Sequence, residues 1–309
     1  MCPAARCTRL HSDMDEQIVL KYIVFTLMNE IGPVTQNAML EVCGDINTVF
    51  AIDGMKELDS CNGLWDAAHM HDEEKGMDRA TVGKKAELEK RIGKKRLQMF
   101  LEQKDEKNLW DRAEMIWRGV RESGIEVITR EDERYPERFL WLNDILTSMP
   151  VLLYAKGTMR INDFQESVGV VGARRCSSDG KNEAIVVVRK AMDRKVAVIS
   201  GMAKGIDAYA HTASLKAQGY TIAVLGNGVD ICYPREHGRL YEAIADHGCI
   251  LSEYPPGTTP RGYMFPRRNR LIAALSDTLY IVDAGRNSGT RSTAEFAVKY
   301  GREVICCTG

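Results

Sequence analysis

The chain has 309 residues, with 42 Lys and Arg against 43 Asp and Glu, so its formal net charge is only −1. This length suggests about two domains. The balanced charge excludes a generally basic nucleic-acid-binding protein, because any such binding must come from a local patch. No apolar run approaches the ~20 residues of a membrane-spanning helix, and the first residues show no apolar segment typical of a secretory signal. We expect no membrane partner.

The cysteines are odd in number, scattered, and without a Cys-x-x-Cys pair. This pattern favours reduced thiols and a cytoplasmic location. It disfavours a zinc site, and no metal is predicted. The nine positions are Cys2, Cys7, Cys43, Cys61, Cys176, Cys232, Cys249, Cys306 and Cys307.

The first part of the chain is predicted to be helical. We expect a disordered tail over residues 1–14 and a helical domain with its linker over residues 15–123. The spacing of apolar residues predicts helices that are broken at Ile31-Gly32-Pro33 and stopped at Gly44. Small helix–glycine–helix modules either bind the DNA backbone or only pack against a neighbouring domain. The predicted helices cover residues 15–29, 35–42, 45–52, a charged stretch within 67–96, and 109–123.

From residue 125 onwards, short apolar strands alternate with helices. Strands of four or five apolar residues between helices indicate a parallel sheet that is covered on both faces. Right-handed crossovers then make residues 124–309 an α/β, Rossmann-like, doubly wound and mostly parallel domain. Strands are predicted over residues 126–129, 151–154, 168–171, 196–199, 220–225, 249–251, 278–282 and 303–306, and helices over 137–141, 178–194, 205–218, 236–246, 267–274 and 290–300.

The chain stops directly after the last predicted strand. A domain that ended there would leave its last sheet element without a covering helix. We therefore expect the domain to be truncated at its C-terminus, or to close in an unusual way.

Positive charge is concentrated in residues 252–272, where no acidic residue lies between Glu253 and Asp277. Its prolines are expected to keep the stretch out of regular helix until after Pro266. Guanidinium groups bind phosphates and aromatic rings stack on unpaired bases, so the stretch suits single-stranded nucleic acid as well as it suits a surface loop with solvated arginines. The arginines are Arg261, Arg267, Arg268 and Arg270, and the aromatic residues are Tyr254, Tyr263 and Phe265.

Glycine-rich segments follow several of the predicted strands. Ligands of an open parallel sheet lie beyond the carboxyl ends of its strands, where helix N-termini offer N–H groups to anions. Arg174 and Lys204 would lie at the same edge as the arginine-rich stretch, which favours phosphate binding. The segments are residues 172–175, 200–205, 226–228 and 285–290.

Nucleotide-cofactor motifs are absent, since the turns match neither the Gly-x-Gly-x-x-Gly pattern nor a Walker lysine motif. No cofactor is predicted. Ser200, Asp207 and His211 could be taken for a catalytic triad, but no strained elbow presents the serine. We expect Asp207 to cap or pair near the start of its helix and His211 to be structural.

Five segments in order resemble the DNA-processing protein A family, also called DprA or Smf. The preceding YPERF and MPVLLYAKG fit the family's entry into its Rossmann-like domain, and the helical region resembles its small SAM-like domain. The five segments are VGVVGARRCSSDG, VISGMAKGIDAYAHTASL, TIAVLGNGVDICYPREH, LSEYPPGTTPRGYMFPRRNRLIAALSD and SGTRSTAEFAVKYGREV.

The resemblance implies a protein without enzymatic activity that binds single-stranded DNA. Such proteins protect incoming strands in natural transformation, load the RecA recombinase on them and form homodimers through the Rossmann-like domain. Phe265 is the residue expected to stack on a base. The family's DNA-binding motifs fall on Gly172, Ala173 and Arg174, on Ser200, Gly201 and Lys204, on Phe265, Arg267, Asn269 and Arg270, and on Ser288, Gly289 and Thr290, with Arg261 and Arg268 added from the arginine-rich stretch.

The chain departs from the family pattern in three places. Ala173 stands where a serine is common, Arg291-Ser292-Thr293 replaces a more apolar run, and no winged-helix domain follows.

The alternative function is a nucleotide-processing enzyme of similar fold, comparable to a nucleoside monophosphate phosphoribohydrolase. That enzyme would use Glu295 and Arg270 in its site.

Overall fold

The computed structural model describes residues 15–52, 79–142, 148–285 and 289–307. The described residues divide into two compact units, residues 15–114 and residues 115–307. The predicted tail of residues 1–14 lies outside the described residues. In the part that the structure describes, no helix is long and apolar enough to cross a membrane.

The first unit is helical and has an aromatic centre. Phe25, Phe50 and Phe100 pack edge to face, with ring centroids 5.7 to 6.1 Å apart. The helix that begins at Pro33 ends as predicted at Gly44, whose φ of 93° suits glycine. Its elements are α1 (Glu16–Leu27), α2 (Pro33–Cys43), α3 (Ile46–Phe50), α4 (Arg79–Ile92), α5 (Lys94–Gln103) and the first part of α6 (Lys107–Ser123).

The second unit is built on a mixed sheet. Its strands are β1 (Glu126–Thr129), β2 (Leu152–Gly157), β3 (Ser167–Gly172), β4 (Ala197–Ser200), β5 (Thr221–Val224), β6 (Cys249–Ser252), β7 (Thr278–Val282) and β8 (Glu303–Cys307). Among the described residues they lie in the order β1-β2-β6-β5-β4-β3-β7-β8. The strands from β3 to β8 pair in parallel, whereas β1 and β2 pair antiparallel at one edge. The predicted Rossmann-like, mostly parallel α/β fold is confirmed.

Helices cover both faces of this sheet. They are α7 (Glu137–Leu140), α8 (Ser178–Asp193), α9 (Ile206–Lys216), α10 (Gly238–His247), α11 (Met264–Leu275) and α12 (Thr290–Lys299). Val170 packs in one core cluster with Val187 of α8 and Ala210 of α9, whereas Val171 packs in another with Leu271 of α11. Because successive strand residues point to opposite faces, α8 and α9 cover one face and α11 covers the other.

The strand order places a crevice beside the end of β3. From β3 the chain moves outwards through β4, β5 and β6, and it then crosses to β7 on the other side of β3. The segments that leave β3 and β7 lead to α8 and α12. The reversal of strand order at β3 is the point where open α/β sheets bind their ligands.

The arginine-rich stretch becomes helical earlier than its prolines indicated. The prediction that it stays out of regular helix until after Pro266 is wrong, because α11 begins at Met264. Pro266 is the third residue of this helix. The first N–H groups of a helix have no acceptor within it, so a proline in the first turn removes no hydrogen bond. Phe265, Arg268 and Asn269 therefore lie on one helical face.

Candidate nucleic-acid interface

A cavity of about 740 Å³ opens at the carboxyl end of β3 and at the N-terminus of α12, the helix that follows β7. The end of β3, the segment that follows it, one face of α11 and the first turn of α12 all contribute to its wall. The segments that follow the strands were predicted to form a binding site together. Parts of them do line this one cavity. The predicted site residues that line the cavity are Gly172, Ala173, Arg174, Phe265, Arg268, Asn269, Gly289 and Thr290.

Arg174 is the exposed cation in the wall of this cavity. Among the described residues, no acidic side chain forms an ion pair with it. Its guanidinium is therefore available to an anion that enters from solvent. The first turn of α12 lies in the same wall, and no described side chain caps its N-terminus at Gly289. A helix N-terminus and an arginine at one cavity are suited to phosphate.

Arg268 also lines the cavity, but it is a structural residue. Its side chain is buried, and its Nη1 donates to the carbonyl oxygens of Gly201, at 2.7 Å, and of Val224. A Cβ at position 201 would lie 2.6 Å from Nη2 of Arg268, so the close approach requires glycine there. Burial lowers the pKa of Arg268 to about 10, against the opposing effect of Asp207, and the charge of Arg174 lowers it further. Arg268 therefore ties the end of β5 to the segment after β4.

Asp207, in the first turn of α9, organises that same segment. Its Oδ2 accepts hydrogen bonds from the N–H groups of Gly201, at 3.1 Å, and Ala203, at 3.3 Å. Burial raises the pKa of this carboxyl, and the charge of Arg268 together with these N–H groups opposes the rise. Asp207 thus pairs near the start of its helix, one of the two roles predicted for it, while no described side chain caps α9 itself.

The structure does not assemble a catalytic triad. Nδ1 of the fully buried His211 lies 2.8 Å from the hydroxyl of Thr221, which itself donates to the carbonyl oxygen of Val198. Burial lowers the pKa of His211 to about 3. The hydroxyl of Ser200 donates to the carbonyl oxygen of Val170, at 2.6 Å. His211 is structural, as predicted, and Ser200 does not line the cavity.

Arg270 is committed to the protein interior. Its Nη1 and Nη2 contact the two carboxylate oxygens of Glu253 at 2.8 and 2.7 Å, and its Nε donates to the carbonyl oxygen of Ser148. Its side chain is 3% exposed and that of Glu253 is 4% exposed. Arg270, which was predicted to capture DNA, does not line the cavity, and its guanidinium is engaged by Glu253. Glu253, the acidic residue at the start of the arginine-rich stretch, neutralises the charge of Arg270.

The remaining predicted cations lie outside the cavity wall. Lys204 forms an ion pair with Glu236 at 2.7 Å, and both side chains are more than half exposed. Arg267 is 47% exposed and lies 3.5 Å from Glu253. Arg261 is exposed, between two residues that line the cavity. Ser288 lies outside the described residues. Each of these three cations is next in sequence to a residue that lines the cavity.

Sequence reasoning missed three side chains of the wall. Tyr233 and Thr293 line the cavity, as does the buried Ile272. Ile272 follows Phe265 by seven residues and Asn269 follows it by four, which is the spacing of one helical face. If the stretch had been predicted as a helix, that spacing could have identified the face of α11 that lines the cavity. Tyr233 had no comparable signal, because it lies in an irregular segment after β5.

Fold and cavity together define a Rossmann-like domain whose cavity is lined by an exposed arginine and an aromatic residue. The chain belongs to the DNA recombination-mediator protein A family, whose model matches residues 126–309. It is 38% identical over 189 residues to the DNA processing protein DprA of Bacillus subtilis, covering 61% of this chain and 62% of that protein. It is 39% identical over 178 residues to DprA of Streptococcus pneumoniae, covering 58% of this chain and 61% of the relative. The chain thus spans about six-tenths of the length of these relatives.

Two solved structures support the same assignment. The X-ray structure of DNA processing protein A from Streptococcus pneumoniae aligns with a TM-score of 0.58 and 30% identity, covering 74% of this chain and 81% of that one. A structure of DNA processing protein A from Helicobacter pylori, solved to describe its single-stranded DNA binding mode, aligns with a TM-score of 0.53 and 31% identity, covering 59% and 80%. The resemblance found in the sequence motifs is confirmed.

Proposed function

We propose that the chain binds single-stranded DNA at the cavity beside β3 and β7. The observation that carries this proposal is the exposed Arg174 in the same wall as Phe265 and the N-terminus of α12. A phosphate needs a cation and N–H donors, and an unpaired base needs an aromatic face. The solved relative from Helicobacter pylori, which binds single-stranded DNA, supports the same conclusion.

In this mechanism the arginines divide into two groups. Arg174 and the first turn of α12 hold phosphate, and a base stacks on Phe265, whose ring is partly exposed. Lys204 and Arg267 exchange their acidic partners for phosphates at the rim. For Lys204 that exchange is cheap, because an exposed ion pair contributes only about 0–1 kcal/mol. For Arg267 it leaves the buried Glu253 paired with Arg270. Arg268 and Arg270 keep the site in shape and contact no phosphate.

The wider role that we propose is the one that the family name describes, mediation of DNA recombination. The chain would protect incoming strands in the cytoplasm during transformation, act as a homodimer through its Rossmann-like unit, and load RecA. Light scattering tests the dimer. The RecA role requires that the chain speeds RecA assembly on a strand already covered by single-strand-binding protein, and an unchanged rate would contradict it.

The first test of the proposal is a fluorescence anisotropy titration. A labelled strand of about 20 nucleotides and its duplex are titrated with the chain at two salt concentrations. We expect tight, salt-sensitive binding to the single strand and weak binding to the duplex, because a duplex keeps its bases stacked. Equal affinity for both would overturn the proposal.

If the chain bound the single strand and the duplex equally, the alternative function, a nucleotide-processing enzyme, would be tested by a screen of mononucleotides for turnover. The structure gives this alternative little support, because neither of its proposed residues lines the cavity. Glu295 is exposed and pairs with Arg291, and Arg270 is buried against Glu253.

A further inference from the structure

Tyr233 presents an aromatic ring beside the predicted stacking residue. It lies in the segment after β5, it is 44% exposed, and it lines the same cavity as Phe265. The two ring centroids are 5.4 Å apart, and the ring planes are tilted by 35°. At this separation the two rings contact each other in a tilted, offset arrangement, so they form one aromatic pair at the wall of the cavity.

The inner ring of this pair is held in place from below. A Cβ at Gly226 would lie 3.1 Å from Cδ1 of Phe265, so the ring packs directly on that glycine. The preceding residue, Met264, is buried and anchors the start of α11. Phe265 is thus fixed by the scaffold, and Tyr233 extends its aromatic surface towards solvent.

The spacing of the rings excludes a base between them. Stacked bases rise by about 3.4 Å, so a base between two rings needs them about 7 Å apart. The observed separation of 5.4 Å is smaller. A base must therefore stack on a part of a ring that is open to the cavity, and the 44% exposed ring of Tyr233 offers such a surface in addition to that of Phe265.

We propose that Tyr233 is a second base-stacking residue, which holds the nucleotide next to the one on Phe265. The proposal rests on the function proposed above and extends it, because Tyr233 lies in a family segment but is not among the DNA-binding positions that the family motifs or the arginine-rich stretch supplied. Aromatic platforms of this kind bind successive bases of a single strand with little dependence on sequence, because every base has a π-face.

Photocrosslinking separates stacking from mere support of Phe265. The unmodified chain is irradiated with a strand that carries 5-iodouracil in place of thymine, and crosslinked peptides are identified by mass spectrometry. A stacked ring lies against the iodinated base, so we expect crosslinks at both Tyr233 and Phe265. A crosslink at Phe265 without one at Tyr233 would overturn the proposal, whatever the effect of substituting Tyr233.

Affinity gives the second readout. Tyr233→Leu keeps an apolar side chain against Phe265 but removes the π-face, and we expect the single strand to bind about five-fold to 100-fold more weakly. The slope of log K against log salt should stay as in the parent, because the ring carries no charge. Tyr233→Phe should bind like the parent. Tyr263, which is 60% exposed but does not line the cavity, supplies the control variant Tyr263→Leu, which should also bind like the parent.

The outcomes distinguish this proposal from the one on which it rests. If Tyr233→Leu binds like the parent while Phe265→Ala and Arg174→Ala bind weakly, the second stacking residue is wrong and the single-stranded DNA site stands. If the parent itself shows no preference for the single strand, the site and its stacking residues fall together.

Discussion

Arg270 and Glu253 form a two-point ion pair inside the Rossmann-like unit, with Nη1 to Oε1 at 2.8 Å and Nη2 to Oε2 at 2.7 Å. Both side chains are almost fully buried. The pair joins the end of β6 to α11, the helix that carries Phe265 into the cavity wall. The ion pair therefore holds the site in position. It supplies no unpaired charge that could bind a ligand.

Breaking this pair should destabilise the protein strongly. Arg270→Met leaves the buried carboxylate of Glu253 with only the half-exposed Arg267, at 3.5 Å, and we expect a loss of about 3–5 kcal/mol in the free energy of unfolding, measured by urea denaturation. The double variant Arg270→Met, Glu253→Leu should lose less than Arg270→Met alone, because it leaves no unpaired charge.

The exposed Arg291–Glu295 pair supplies the matched control for this experiment. Arg291→Met should be within measurement error of the parent, because an exposed ion pair on one helix contributes little. A double variant as unstable as Arg270→Met would show that the carboxylate is not the source of the loss.

Arg174 should carry the salt dependence of DNA binding. Removing a cation that contacts phosphate reduces the number of counterions released, so Arg174→Ala should weaken binding and lower the slope of log K against log salt by about 1. The exposed neighbour Arg175 does not line the cavity, so Arg175→Ala is the matched control. Equal slopes for Arg174→Ala and the parent would show that Arg174 contacts no phosphate.

The order of strands and helices in the Rossmann-like unit could be predicted from the sequence. Buried strands such as β4 consist of consecutive apolar residues, and glycines end them, so the local pattern is sufficient. The place of the cavity followed from a general property of open parallel sheets. Both predictions depend on short-range patterns and on topology.

The separation of free from structural arginines could not be predicted in the same way. Arg267, Arg268 and Arg270 lie within four residues, yet Arg267 is 47% exposed whereas Arg268 and Arg270 are buried, because α11 turns the last two towards the interior. The prediction treated the start of this stretch as irregular, since Pro266 was taken as a helix breaker. Burial of Arg268 also depends on Gly201, which is distant in sequence. Contacts between residues that are far apart in the sequence leave no periodic pattern in it.

Gly201→Ala should disturb the segment after β4. The new Cβ would lie 2.6 Å from Nη2 of Arg268, and that guanidinium is held by the carbonyl oxygens of Gly201 and Val224. It cannot move aside without losing buried hydrogen bonds, so we expect the free energy of unfolding to fall by about 1–3 kcal/mol. Thermal and urea denaturation measure the loss.

A glycine with open space around it provides the control. Nothing lies within 4 Å of a Cβ added at Gly238, at the start of α10. Gly238→Ala should leave stability unchanged or raise it slightly, because alanine favours a helix. If both variants were equally stable, the close approach of Arg268 to Gly201 would not constrain position 201.

His211 should make the stability of the protein depend on pH. Burial holds its pKa at about 3, whereas an unfolded histidine has a pKa of about 6.5. Between these values the unfolded chain binds the extra proton, so the free energy of unfolding falls as pH falls, by about 2 kcal/mol from pH 6.5 to pH 5. His211→Asn retains an N–H donor for Thr221 but does not titrate, so its stability should fall less over that range.

His247, whose side chain is exposed, is replaced in the same way as the control and should keep the pH dependence of the parent. An identical pH dependence in His211→Asn and the parent would mean that His211 is not held neutral in the fold.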